Sequence, residues 1–238
     1  MTDDIKKLLK LKYGNNVKIS SPICGTCKQV YIVNDGLQKF AILVDKQTAI
    51  THQYRFLRSN YFQKFLFDNG LNVPDVEEIF AVDKRIAARH TFIDGTRVER
   101  LDEKSAYEIG KTVAEFHLIN SSKFKPRYPI KYKIFALLDK IKNALRLYKE
   151  CLFHPEFCRL PRGICHYDLN LRNFFWLNDK LFMIDFDRYR YWAFAHELWR
   201  FMRGRQLSNV ILQGYQSVRK LEECEKKYLR TKNPDLKL

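Results

Sequence analysis

The stretch Ile164–Asp187 limits this chain more than any other part of it. His166, Asp168 and Asn173 stand in the order His-x-Asp-x-x-x-x-Asn, followed by the apolar run Phe174–Leu177 and a turn at Asn178–Lys180. A second apolar run then ends in Asp185-Phe186-Asp187. A carboxylate beside strand-forming residues is costly to bury unless something pairs with it. A divalent cation offsets that cost. Asp185 and the Asn173 side-chain oxygen are hard ligands of the kind Mg²⁺ takes while keeping water and phosphate. Asp168, five residues before Asn173 on the same loop, is then left to orient or deprotonate a hydroxyl. This division of labour is that of phosphoryl transfer. The alternative is a structural hydrogen-bond cluster of His166, Asp168 and Asp185, which leaves the combined spacing without a reason.

The rest of the chain bounds what can surround this segment. Its 238 residues suit one sizeable domain or two closely packed lobes, and 46% hydrophobic residues exclude a disordered basic tail. The longest apolar stretches, Phe40–Val44 and Phe174–Leu177, fall far short of a membrane span. No apolar signal region follows Met1-Thr2-Asp3-Asp4, so a cytoplasmic location is expected. Cys24-Gly25-Thr26-Cys27 has the spacing of a redox or zinc pair, but no second pair closes a zinc site. The six cysteines therefore read as reduced and structural, with a redox or metal role as the alternative. Lys and Arg exceed Asp and Glu by 43 − 27 = 16, which asks for an anionic partner.

The expected element order is β-β-β-α-β-β and then helices. Val17–Ile23 and Gln29–Val33 read as a hairpin, Phe40–Val44 as a third strand, and Ala49–Asn69 as a helix stopped by Gly70. Val73–Val82 and Ile86–Phe92 follow as strands. Asp102 caps a helix to about His117, Lys131–Cys151 is a long helix, and Phe194–Arg203 another. After Arg205 one further helix is expected, around Ser217–Arg230. The boundaries drawn from this are an N-terminal nucleotide-binding lobe, 1–94, and a C-terminal catalytic and acceptor-binding lobe, 95–238.

The catalytic-loop pattern resembles that of the kinase-fold small-molecule phosphotransferases, the aminoglycoside phosphotransferase and choline kinase group. Asn72-Val73-Pro74, Thr91-Phe92-Ile93-Asp94-Gly95, the helix Ile109–His117 and Leu160-Pro161-Arg162-Gly163 are similar to that family as well. The resemblance implies an α+β, protein-kinase-like fold of two lobes: a small antiparallel β lobe with one helix, and a mainly helical C-terminal lobe. It also implies ATP and Mg²⁺ as cofactors. Asp168 becomes the catalytic base, Asn173 and Asp185 the metal ligands, and His166 a scaffold for the loop. Glu197, where the family usually has Asp, ties the loop to the helical lobe. Gly25, Phe92 and Ile93 fall to the nucleotide. Within the superfamily, Asp168-Leu169-Asn170 and Ile184–Arg188 look most like kinases of lipopolysaccharide core sugars, especially 3-deoxy-manno-octulosonic acid kinase. The insert Asn120–Pro161 departs from those sugar kinases, so the acceptor stays open.

Two positions depart from the active pattern. The third strand should carry an inward Lys or Arg for the α- and β-phosphates, and Leu43 stands there. The partner glutamate on the following helix would fall near Ser59, between Arg58 and Asn60, and no carboxylate is present. Lys28, at the start of the second strand, is long enough to supply the missing charge. Lys46 has the wrong parity for it. A pseudokinase-like binding or scaffold protein is therefore the alternative to a working kinase. Lys123–Lys149 holds nine cations opposed only by Asp139, and Arg188–Arg205 a second group. Such a wall suits an anionic small molecule or glycolipid acceptor, and contact with the inner face of an anionic membrane. No recognised motif supports nucleic acid as a partner.

Overall fold

The computed structural model describes residues 2–24, 28–119 and 121–238. Helix α1 (Thr2–Tyr13) precedes six strands that form one antiparallel sheet. These are β1 (Lys18–Ile19), β2 (Ile23–Cys24), β3 (Lys28–Asn34), β4 (Lys39–Asp45), β5 (Val76–Val82) and β6 (Arg85–Thr91), and α2 (Ile50–Asp68) lies between β4 and β5. The sheet order is β1-β3-β4-β6-β5, with β2 also pairing with β3. Register puts Lys28 opposite Asp45 and Val30 opposite Leu43, so Lys28, Leu43 and Asp45 share one face by strand alternation. Phe40, Ile42 and Val44 take the other face, where Ile5 and Leu9 of α1 cover them. That helix was not expected. Its two buried apolar residues sit four apart among lysines, too sparse a stripe to stand out from sequence.

The helical lobe begins after a connector that leads into β7 (Thr96–Arg97), which joins β9 (Phe174–Leu177) and β10 (Lys180–Met183) in a three-stranded sheet. Gly95 belongs to this connector because a Cβ there would collide with the Trp176 carbonyl oxygen. α3 (Glu103–Leu118) starts where the Asp102 carboxylate accepts the Ser105 N–H at 2.7 Å. α4 (Ile130–Phe153) is the longest helix described, and β8 (Arg162–Cys165) pairs with β11 (Arg190–Ala193). α5 (Phe194–Met202), α6 (Ser208–Val218) and α7 (Glu223–Lys232) complete the chain.

The single C-terminal helix expected around Ser217–Arg230 is corrected to two, α6 and α7. The chain breaks over Arg219–Glu222, and Glu222 with Glu225 forms a capping box that restarts it. α6 lies against α3, and a Cβ at Gly110 or Gly214 would meet the other helix's backbone. One core fills this lobe and takes in Phe62 and Leu66 from the end of α2, which locks that helix to both lobes. Cys151, Cys158, Cys165 and Cys224 are free thiols. Among the described residues, no helix is long and apolar enough to cross a membrane.

Candidate active site

The loop after β8 is held by its backbone. His166 is fully buried, and its Nε2–H donates to the Ile184 carbonyl at 2.9 Å while Nδ1 accepts from the Asp168 N–H at 3.3 Å. Tyr167 sits in the left-handed region, φ 66°, which costs a non-glycine residue about 1 kcal/mol or more. Glu197 of α5 holds the backbone there, accepting the N–H of His166 at 3.1 Å and that of Tyr167. It also accepts from His117 Nε2 at 2.9 Å, and the other ring nitrogen of His117 takes the Tyr215 hydroxyl. Burial pushes the Glu197 carboxyl up, but the hydrogen bond and charge of His117 outweigh it and hold the group below its usual range. The structure thus brings His166 and Glu197 together behind the loop.

On the front of the loop, Asn173 donates its side-chain N–H to the Asp168 carbonyl at 2.9 Å, and Asn170 donates to the same oxygen at 2.8 Å. The amide oxygen of Asn173 is the atom left for a ligand. The Ile184 N–H donates to the Asn173 carbonyl at 2.9 Å, which fixes the two halves of the motif to each other. Asp185 also adopts the left-handed conformation, φ 72°. The Asp168 carboxylate is half-exposed, with Arg188 Nε 3.8 Å away.

Lys28 reaches this group from the sheet of the other lobe. Its Nζ lies 2.9 Å from Asp185 and 3.1 Å from Asp187. Burial alone would lower the lysine's pKa; Asp187 and Asp185 beside it drive it well above the ordinary value. Burial likewise raises Asp185, and Lys28 more than reverses that. Asp187 was quoted in the motif but given no role by sequence reasoning. The apolar-acidic alternation of Ile184-Asp185-Phe186-Asp187 was the available signal.

The position of the missing cation is filled by packing. Leu43 lies against the cluster of Phe56, Val76 and Ala88. Where a kinase would place the partner glutamate, α2 offers Asn60 and Gln63, and both bind His90 of β6. Gln63 donates to His90 Nδ1 at 3.0 Å, and His90 Nε2–H donates to Asn60 Oδ1 at 2.6 Å. Sequence reasoning missed this triad, because three polar residues from distant elements carry no local pattern. Phe92 and Ile93 form the half-buried connector between β6 and β7. Gly25 lies outside the described residues.

His90 makes the fold acid-sensitive in a defined direction. Burial, with Lys28 nearby, lowers its pKa to about 3, against a smaller opposing effect of Asp187. The unfolded chain then takes up a proton near pH 6.5 that the folded chain refuses. Stability is complete above that pH and falls as pH drops towards 3, by roughly 1.4 kcal/mol per unit for one such histidine. Melting curves across this range should show the His90→Gln variant with a shallower acid slope than the native chain. Equal slopes would remove His90 from the acid response.

Beside the acidic group a cleft of about 1040 Å³ opens between α2, α4 and the segment after Asp185. Arg55, Arg58, Lys125, Lys133, Lys140, Lys142, Arg146, Arg188 and Arg190 line it, against Asp139 and Asp187. Arg58 is committed within it: it donates to the Tyr189 carbonyl at 2.6 Å, stacks on the Tyr189 ring at 4.0 Å and lies 3.4 Å from Asp139. Tyr167, beside Asp168, borders the same space, so the basic wall and the loop that carries Asp168 share one opening.

The chain as a whole has counterparts among known proteins. Residues 30–223 match the model of the phosphotransferase enzyme family. The chain belongs to that family. Two curated relatives are homoserine kinases. The one from Parvibaculum lavamentivorans is 26% identical over 216 residues, covering 78% of this chain and 66% of the relative. The one from Agrobacterium fabrum is 29% identical over 191 residues, covering 66% and 58%. The chain therefore spans less than two thirds of the length of these kinases. Among solved structures, an amicoumacin kinase in complex with AMP-PNP, Ca²⁺ and Ami superimposes with a TM-score of 0.62 at 14% identity, covering 98% of this chain and 86% of that one. The fold is the family's two-lobed, protein-kinase-like architecture.

Proposed function

We propose that this chain is a kinase that transfers the terminal phosphoryl group of ATP to a hydroxyl of an anionic small molecule or envelope sugar. The observation that carries the reading is Lys28, which spans the two lobes to meet Asp185 and Asp187 beside the Asp168 loop. A kinase needs a cation at that place to hold the phosphates, and β3 provides here what β4 lacks. In the proposed reaction the acceptor oxygen bonds to the γ-phosphorus as the bond from that phosphorus to the β–γ bridging oxygen breaks. The hydroxyl proton passes to the Asp168 carboxylate and nucleoside diphosphate leaves.

Asn173 and Asp185 would hold the divalent ion, Mg²⁺ in this proposal. Both fit it: one presents an amide oxygen, the other a carboxylate that already attracts a cation. When bound, the ion supplies positive charge to the phosphates. Gly25, Phe92 and Ile93 are assigned to the nucleotide, in a lobe taken as 1–94, with the acceptor on 95–238. The scaffold reading draws on Leu43 and on the missing helix glutamate; Lys28 offers a substitute for the first, while Asn60 and Gln63 stand near the place of the second.

The relatives act on homoserine, whose carboxylate suits a basic cleft. A cleft of about 1040 Å³ holds a much larger molecule, which favours a phosphorylated sugar or a lipopolysaccharide-core sugar. A turnover screen with MgATP should include homoserine, aminoglycosides, sugar phosphates and core sugars. Phosphorylation of an anionic sugar is expected. Turnover confined to cationic aminoglycosides would contradict the acceptor class, and nucleotide binding without turnover of any acceptor would return the scaffold reading.

A further inference from the structure

Helix α4 carries a feature the phosphoryl-transfer site does not use. Its inner face is pinned to the protein: Tyr132 is buried and donates its hydroxyl to Gln53 at 2.8 Å, Phe135 stacks on Tyr54, and Asn143 donates to the Tyr191 carbonyl. The outer face is apolar and open. Ile134, Leu137, Ile141, Leu145, Tyr148 and Leu152 recur at the three- and four-residue steps of one helical stripe. Leu138, beside them, is the least exposed of the group and is still 40% accessible. From Ile134 to Leu152 this stripe is about 27 Å long. Isolated exposed leucines are ordinary, but a continuous row of this length marks a surface that meets something.

The charges along the stripe say what. At 100° per residue, Lys131, Lys142 and Lys149 fall along one edge of the row and Lys133 and Lys140 along the other. The two acidic residues of α4, Asp139 and Glu150, lie on the inner side, Asp139 3.4 Å from Arg58. An apolar row with lysines on both edges is complementary to an anionic bilayer: the side chains enter the acyl boundary and the ammonium groups meet headgroup phosphates. A second copy of the chain is a poorer match, because facing stripes would bring lysine edge against lysine edge.

We propose that α4 is an interfacial helix that seats this face of the protein on an anionic lipid bilayer. Lys133, Lys140 and Lys142 on the edges of the stripe, and Leu137 within it, also line the basic cleft, so the cleft mouth opens beside the lipid surface. The docking stands on α4 alone; only the meaning of the cleft's position rests on the kinase reading.

The test needs no turnover, so it fails or succeeds separately from the kinase reading. The whole chain is floated with vesicles of phosphatidylcholine containing phosphatidylglycerol, and with phosphatidylcholine alone. Binding to the anionic vesicles and little to the neutral ones is expected. Ile141→Glu with Leu145→Glu should cut partitioning at least about tenfold. Lys131→Glu with Lys149→Glu, outside the cleft, should weaken it as well and keep the comparison open if the first pair misfolds. No preference for anionic vesicles would overturn the proposal. So would sedimentation of the native chain as a dimer that the Ile141→Glu, Leu145→Glu pair dissolves.

Discussion

Asp168→Asn should lose turnover by a factor of about 100 to 10,000, the range that general-base catalysis supplies. It should do so with an unchanged melting temperature. The loop's hydrogen bonds from Asn170 and Asn173 go to the Asp168 main-chain carbonyl, which the substitution leaves in place. The carboxylate itself is half-exposed and faces Arg188 at 3.8 Å, too distant to stabilise the fold much. Nucleotide affinity should be close to native, because the phosphates are assigned to Lys28 and the metal ligands. Steady-state kinetics on the first acceptor that turns over, with a melting curve for each variant, reads all three quantities. Activity above about a tenth of native would take Asp168 out of the proton transfer.

Lys28→Met is the second large effect. Its ammonium lies within hydrogen-bond distance of Asp185 and Asp187, so its removal leaves two carboxylates without their cation. Burial then acts on Asp185 without the lysine that, in the native chain, holds its carboxyl below the usual range. Loss of one charge-assisted hydrogen bond to phosphate is worth about 1.5–3 kcal/mol, or roughly a 10- to 150-fold weaker nucleotide complex. Lys46→Met is the control: β4 ends at Asp45, and Lys46 follows it outside the paired face of Lys28 and Leu43. Equal binding by both variants would mean that the cation has not moved from β4 to β3.

These two residues show what could be read from the sequence. Asp168, Asn173 and Asp185 lie on one continuous stretch, so their spacing alone suggests the proposed chemistry. The proposed relocation of the cation to Lys28 rests on the apolar identity of Leu43, the place of Lys28 at the start of the neighbouring strand and the wrong parity of Lys46. Its actual partners did not follow, because Asp187 meets Lys28 across 159 residues of chain. The same limit hid the His90, Asn60 and Gln63 triad, where a β strand and a helix converge only after folding. Helix α1 escaped for another reason: Ile5 and Leu9 are too few to form a periodic signal, and its role is to cover Phe40, Ile42 and Val44. In the C-terminal lobe, the break between α6 and α7 depends on a glutamate pair at Glu222 and Glu225 that resembles ordinary helix surface.

The basic residues of Lys123–Lys149 gained a division that charge counting could not provide. Lys125 and Arg146 turn into the cleft with Arg58 and Arg188, Lys131 and Lys149 border the exposed apolar row of α4, and Lys133, Lys140 and Lys142 adjoin both. The acceptor and a lipid surface would then be met by neighbouring sides of one helix. Homoserine phosphorylation by the two relatives concerns proteins of greater length, and the cleft here is the better guide to the acceptor of this chain.

The central claim is that Lys28, Asn173 and Asp185 form a metal-assisted nucleotide site in a chain whose β4 lysine is absent. Calorimetric titration of AMP-PNP into the native chain, with and without Mg²⁺, tests it most directly. Saturable binding that Mg²⁺ tightens is expected. Absence of binding at millimolar nucleotide, or binding indifferent to the metal, would contradict it.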